Sequence, residues 1–181
     1  MIMRISAGEQ VPTDFNVIIE IPTDGGAIKY EVDKTTGLLS VDRFMPTAMR
    51  YPCNYGYVPS TLAEDGDPVD VLVMTPHPVC PGSLLRARPL GLLRMTDEAG
   101  ADSKILAVPI VKACRQMADI QSLGQVSKVL LETIVHFFQH YKDLEPNKWV
   151  KIQGWEDQAA AEKELMSSVH RYSAQNEVTV K

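Results

Sequence analysis

Cysteine is scarce in this 181-residue chain: Cys53, Cys80 and Cys114 are odd in number and share no C-x-x-C spacing. That argues against a disulfide framework and against a structural zinc site. The three are expected to be small buried hydrophobes in a reducing compartment. Long apolar runs are missing too. The longest, Ile105 to Val111, contains Pro109, whereas a membrane-spanning helix needs about 20 apolar residues. Glu9 and Asp14 stand where an export signal would need its apolar stretch, so a soluble cytoplasmic protein is expected, with no membrane partner. Positive charge is not in excess: 18 Lys+Arg against 23 Asp+Glu give a formal net charge of −5. Nucleic-acid binding rests largely on phosphate neutralisation, so nucleic acid is not an expected partner.

What is present is ordinary for a globular protein, 45% hydrophobic and 23% charged. At about 150 residues per domain the chain reads as a single domain, 1–181. Residues 15 to 21 alternate, with Phe15, Val17, Ile19 and Ile21 on one side and Asn16, Ile18 and Glu20 on the other. After turn chemistry at Thr23-Asp24-Gly25-Gly26, alternation resumes with Ile28, Tyr30 and Val32 opposite Lys29, Glu31 and Asp33. A second break at Lys34-Thr35-Thr36-Gly37 leads into Leu39, Val41 and Arg43. This predicts a meander of short strands. Further strands are expected at Val69–Val73, Leu84–Met95 and Lys104–Val111, with a bulge or bend at Gly91. Helical spacing first appears in Gln125–Tyr141, through Val126, Val129, Leu130, Ile134, Phe137 and Tyr141, and a second helix is expected over Glu156–Tyr172. Many short strands followed by two helices predict an α+β, mainly β fold: a small closed barrel with helices packed outside.

No Lys or Arg occurs between Arg50 and Arg86, and that gap holds Glu64-Asp65-Gly66-Asp67-Pro68-Val69-Asp70. Carboxylates this close repel one another unless solvated or sharing cations. An EF-hand is excluded, because counting from Asp65 its required Gly and Glu positions hold Asp70 and Pro76. A plain acidic turn is the simplest reading of such a run. Against it, Asp70 leads straight into the apolar strand Val71-Leu72-Val73, and Gly66 and Pro68 fix the backbone. A second acidic turn follows at Asp97–Asp102, with Lys104 just beyond. Two loops at one end of a barrel can pool their acids, and oxygen-only ligands select magnesium or manganese over zinc. His77, between Pro76 and Pro78, reads as an exposed loop residue.

Asp65-Gly66-Asp67-Pro68-Val69-Asp70-Val71 matches in full the signature of soluble family I inorganic pyrophosphatases. Glu20-Ile21-Pro22, Ile28-Lys29-Tyr30-Glu31, Val41-Asp42-Arg43-Phe44-Met45, the block from Tyr51 to Tyr57, Met95 to Gly100, and His136 through Lys142 also resemble family blocks, in family order. The likeness covers about residues 10 to 160 and is similar to the short bacterial form. It implies a five-stranded closed barrel of the oligonucleotide-binding type with two flanking C-terminal helices, hydrolysing pyrophosphate to two phosphates with Mg2+, for which Mn2+ is a substitute. It further implies Asp65, Asp70 and Asp102 as main metal ligands, with Asp97 and Glu20 supporting them, and Asp67 as general base.

The residue chemistry agrees with those implied roles. Lys29, Arg43, Lys104 and Lys142 suit the holding of phosphate oxygens, and Tyr55 and Tyr141 can donate hydrogen bonds to them. Asp67, Tyr55 and Lys104 are therefore the expected catalytic residues, with Glu31 a secondary partner for Lys29. The resemblance also implies a homo-oligomer, a hexamer built as two trimers, with the helix carrying His136 and His140 at the interfaces. Three competing readings are a non-catalytic barrel binding oligonucleotides or phosphorylated ligands, a nucleotide phosphohydrolase, and the unrelated manganese-type pyrophosphatase. The acid-rich groove argues against the first, the absence of a G-x-x-x-x-G-K-[ST] loop against the second, and the absence of an Asp-His-His run against the third.

Overall fold

A computed structural model describes residues 5–33 and 35–179, residues 177–179 by backbone alone. Lys34, in the second expected turn, lies outside the described residues. In chain order the strands are β1 (Phe15–Ile21), β2 (Ile28–Val32), β3 (Leu39–Phe44), β4 (Asn54–Tyr57), β5 (Asp70–Val73), β6 (Leu84–Asp97), β7 (Gly100–Ala101) and β8 (Lys104–Pro109). Helix α1 (Lys128–His140), β9 (Val150–Glu156) and helix α2 (Gln158–Thr179) follow. The architecture is mixed, mainly β, with two α-helices among the described residues.

Strand β1 pairs with β4, β4 with β5, β5 in parallel with β8, β8 with β6, and β6 back with β1. These pairings run round a ring of five strands. The outer part of the long β6 carries β7 and β9. The expected meander is corrected here: β2 and β3 leave the ring and pair only with each other.

Two cores lie on the two faces of the ring. One packs Leu72, Leu93, Met95 and Leu106 against Ile134, Phe137 and Phe138 of α1. The other packs Phe15, Val17, Val71 and Ile105 against Ala161 and Leu165 of α2. Bulges switch strands between faces. The register of β1 shifts between Ile19 and Ile21, so Ile19 belongs to the second core and Ile21 to the first, not to one stripe as the alternation predicts. The shift expected at Gly91 is present, and beyond it Leu92 faces the second core while Leu93 and Met95 face the first.

Two strands escape the apolar pattern for physical reasons. Strand β4 has Asn and Gly among its four residues. Buried Asn54 accepts from the Thr23 and Val79 amides and donates to Val73 O and Thr75 Oγ1, so its polar group replaces apolar packing. Gly56 is required by close approach, since a Cβ there would lie 1.9 Å from the Ile18 carbonyl oxygen. Strand β9 does alternate at Val150 and Ile152, but Gly154, at φ +122°, and a register shift opposite it break the period.

The helix bounds shift as well. Residues 123–125 form a 3-10 turn and Val126 is extended, so α1 begins at Lys128. Glu156 ends β9, and Asp157 caps α2 by accepting the Ala160 amide at 3.1 Å. Of the cysteines only Cys53 is buried, and burial raises its thiol pKa to about 12. Cys80 is exposed and Cys114 half-buried, which corrects the expectation for those two. His77 is exposed, as expected.

Candidate active site

The site follows from strand parity. Asp70 alternates with Val71, and Lys104 with Ile105, so both charged residues share the face that carries Leu72 and Leu106. The parallel register sets Asp70 beside Lys104. The Lys104 ammonium reaches both the Asp70 and the Asp102 carboxylates. Lys104 is only 3% exposed. Burial opposes its charge, but Asp70 and Asp102 outweigh that penalty and hold its pKa above the ordinary lysine value. Its ammonium also lies 5.8 Å and 5.9 Å from the ring centres of Tyr55 and Phe138.

A cavity of about 320 Å³ opens beside this cluster. All thirteen residues selected from the sequence line it: Glu20, Lys29, Glu31, Arg43, Tyr55, Asp65, Asp67, Asp70, Asp97, Asp102, Lys104, Tyr141 and Lys142. Asp65 and Asp67 come from the 58–69 loop, where the Asp67 amide donates to Asp65 Oδ1 at 3.0 Å. Asp97 ends β6 and accepts from Lys142 Nζ at 2.8 Å. Lys29 and Arg43 face each other across the β2–β3 hairpin. Lys29 is held by Glu31, as expected, and by Asp42. Arg43 is held by Asp42 and by Glu145 from beyond α1.

Sequence reasoning missed Tyr51, Tyr57, Glu98 and Lys148, which also line the cavity. Tyr57 stands two residues from Tyr55 on one strand, so the period of two could have found it. Glu98 adjoins Asp97 and pairs with Lys148 at 2.6 Å. Its pKa falls to about 2 because Lys148 and Lys142 outweigh its partial burial. Nothing in the sequence pattern marks Lys148.

Eight carboxylates therefore face five cations around one cavity. Burial lifts Glu20 to a pKa of about 7, with Asp70 and Glu31 adding to the lift. Asp65 is raised by burial and by Asp102 and Asp70. Among the described residues, no three carboxylate, histidine or cysteine side chains stand close enough to grip an ion as they are. Lys104 takes up the facing oxygens of Asp70 and Asp102. The donor chemistry nonetheless fits a hard divalent cation, because the cavity is lined by oxygen ligands in charge excess and by no His or Cys.

Interleaved acids and cations of this kind define a site for a compact polyanion whose charge is shared with cations. Comparison narrows the class. The family model described as inorganic pyrophosphatase matches residues 17–173. The chain is 56% identical over 170 residues to the inorganic pyrophosphatase of Xanthomonas campestris pv. campestris, covering 94% of this chain and 96% of that one. It superposes on the solved inorganic pyrophosphatase of Coxiella burnetii with a TM-score of 0.91 and 65% identity, covering 93% and 99% of the two chains. For the Thermus thermophilus structure the TM-score is 0.89 at 41% identity, with 93% and 97% covered. The chain belongs to the inorganic pyrophosphatase family.

The raised Glu20 pKa has a measurable consequence. Its folded pKa of about 7 exceeds the reference value of 4.5, so ionisation favours the unfolded chain, and stability falls as pH rises through that window. Gln at this position keeps the acceptor that binds the Val32 amide at 2.7 Å and removes the charge. In chelator, Glu20→Gln should exceed the native protein in stability at pH 8 by up to about 3 kcal/mol, at about 1.4 kcal/mol per unit. The gap should close near pH 4. Urea unfolding at both pH values reads it, and a gap independent of pH would refute the assignment.

Proposed function

We propose that this cavity hydrolyses inorganic pyrophosphate to two phosphates by direct attack of water, without a covalent intermediate. The observation that carries the reading is the opposition of eight carboxylates to five cations around one cavity in a member of this family. A bare acid cluster would repel pyrophosphate, and a purely basic pocket would bind it without activating water.

Asp65, Asp70 and Asp102 would hold Mg2+, or Mn2+ in its place, with Asp97 and Glu20 in support. When bound, such ions offset phosphate charge and lower the pKa of water from about 15.7 toward neutrality. Asp67, fixed beside Asp65 by its own amide, accepts the proton of the attacking water. The water oxygen bonds one phosphorus as the bridging P–O bond breaks, and the electron pair leaves with the second phosphate. Lys29, Arg43 and Lys142 hold the phosphate oxygens as charge moves onto the leaving group. Arg43 contributes a planar fork, and the lysines act as point charges. Tyr55 and Tyr141 donate phenolic hydrogen bonds; burial raises both pKa values, so both hydroxyls keep their protons. With Asp70 and Asp102 engaged as ligands, Lys104 would be free to hold a phosphate oxygen. Glu31 steadies Lys29.

The ring of five paired strands supports a closed barrel of the oligonucleotide-binding type, and the whole chain is read as one domain. We place the protein in the cytoplasm; no helix among the described residues is long and apolar enough to cross a membrane. A hexamer of two trimers is also proposed. The His136 and His140 rings lie 4.7 Å apart, tilted by 49°, on the outward side of α1, and His140 meets Asp143 at 2.8 Å, a surface suited to a contact between copies. Light scattering at micromolar concentration should give the hexamer mass, and a monomer would end that reading.

Purified protein should release phosphate from pyrophosphate with magnesium, far more slowly from ATP, and not at all in chelator. Full activity in chelator would sink the proposal. Asp67→Asn keeps the size and polarity of the side chain but takes no proton at neutral pH. It should lower turnover about 10²- to 10⁴-fold and leave the magnesium requirement little changed. Near-native turnover would move the base elsewhere.

A further inference from the structure

Glu164, Ser168 and Arg171 form one stripe of α2, spaced i, i+4 and i+7, and none of them lines the main cavity. Arg171 Nε donates to the Leu62 carbonyl at 2.7 Å, and its Nη2 reaches Glu164 and Ser168 Oγ at 2.8 Å each. The Leu62 amide donates in turn to the Ser168 carbonyl at 3.0 Å. Both backbone polar groups of Leu62 are thereby fixed to the helix. Three residues further on stands Asp65, and the segment between is closed on itself. The Ala63 amide donates to Asp67 O at 2.6 Å, the Gly66 amide to Ala63 O at 3.2 Å, and the Asp67 amide to Asp65 Oδ1 at 3.0 Å. Such a closed turn moves as a unit with its anchor.

Glu164 has a second arm. Arg94 Nη1 lies 3.8 Å from it and donates to Ser103 Oγ at 3.4 Å, and Ser103 sits between Asp102 and Lys104. A cavity of about 20 Å³ remains among Ala63, Val69, Arg94, Ser103 and Glu164, so although Ala63 and Val69 pack on the second core, this junction is not closed by packing alone. Glu164 is 13% exposed in its side chain, which spares its ion pairs most of the screening that makes surface pairs weak.

We propose that Arg171 and Glu164 are positioning residues for the reaction: a strut from α2 that holds the Asp65–Asp67 turn, and through Arg94 the Asp102 turn, at the spacing two-sided cation binding needs. The proposal rests on the pyrophosphatase reading for its catalytic meaning, but the strut itself is a property of the fold. Arginine suits both ends at once, since its planar fork presents separated donors to Leu62 and Glu164, whereas a lysine's three donors share one nitrogen. Displacing a reacting group by about 1 Å can cost about 10²-fold in rate.

The test compares Arg171→Ala, Arg171→Lys and Glu164→Gln with Leu165→Ala. The last removes a fully buried α2 side chain from the second core that makes none of the strut's hydrogen bonds. The first readout is amide exchange of residues 62–67 in chelator, which needs no activity. The second is the magnesium concentration giving half-maximal hydrolysis. Arg171→Ala should speed loop exchange and raise the magnesium requirement about tenfold, the low end of what outer partners of metal ligands contribute. Arg171→Lys and Glu164→Gln should fall between it and the native protein. Leu165→Ala should lower thermal stability and leave both readouts near native. Equal effects of Arg171→Ala and Leu165→Ala would overturn the strut, as would an unchanged loop in Glu164→Gln if Arg171→Ala does not fold. A native protein that released no phosphate from pyrophosphate would refute the proposed function instead, and the exchange comparison would still decide the strut.

Discussion

Lys104 carries a charge at a depth where a lysine alone would give it up, and the site is organised round the two carboxylates that keep it there. Removing both partners would leave an uncompensated buried charge, one of the more costly defects a fold can hold. The constraint acts through register. In the parallel β5–β8 ladder Asp70 stands beside Lys104, and a slip of one residue would turn Lys104 into the apolar core under α2. The apolar runs Val71–Val73 and Ile105–Val108 set the register, and the ion pair shares that register at the end of the same strands.

The bulges let one sheet serve two purposes. Without the shift in β1 between Ile19 and Ile21, the strand would keep its apolar stripe on one face throughout. With it, Phe15, Val17 and Ile19 pack under α2, Ile21 crosses to the other core, and Glu20 between them reaches the cavity. The shift in β6 at Gly91 does the same for Leu93 and Met95, on the strand that ends in Asp97. Each bulge gives up local ladder pairing to carry a carboxylate from a well-packed strand into a polar cavity.

The site was more legible in the sequence than the topology. Acids packed between Glu64 and Asp70 in a stretch without basic residues announce a charge problem, and the cavity gathers every residue chosen for solving it. Period two found the strands with unbroken apolar faces. It could not find β4, whose order comes from Asn54 hydrogen bonds and the glycine contact at Gly56 instead of burial of alternate side chains. Nor could it tell that β2 and β3 leave the ring, because a hairpin alternates equally well on or off a larger sheet. The Arg171–Leu62 link was out of reach for another reason: it joins residues far apart in sequence through a backbone carbonyl, which no side-chain pattern encodes.

The cavity's charges rest on unequal supports. The acids Asp70, Asp97 and Asp102 stand on or beside strands β5, β6 and β8, whose central residues are buried. Lys29 and Arg43 stand on a two-stranded hairpin, a unit only marginally stable alone, with Leu39, Val41 and Phe44 exposed on β3. Tyr30 and the adjoining Met45 pack that hairpin against the first core, and polar ties add to this: the Val32 amide donates to Glu20 and Arg43 pairs with Glu145. The first of these ends on a carboxylate that lines the cavity and that burial lifts to a pKa of about 7. The acids proposed to bind cations gain from rigidity, because a small hard ion such as Mg2+ rewards fixed geometry. Lys104 and Lys142 are buried and ion-paired away from the hairpin, so of the cations proposed to hold phosphate oxygens only Lys29 and Arg43 rest on the lighter support.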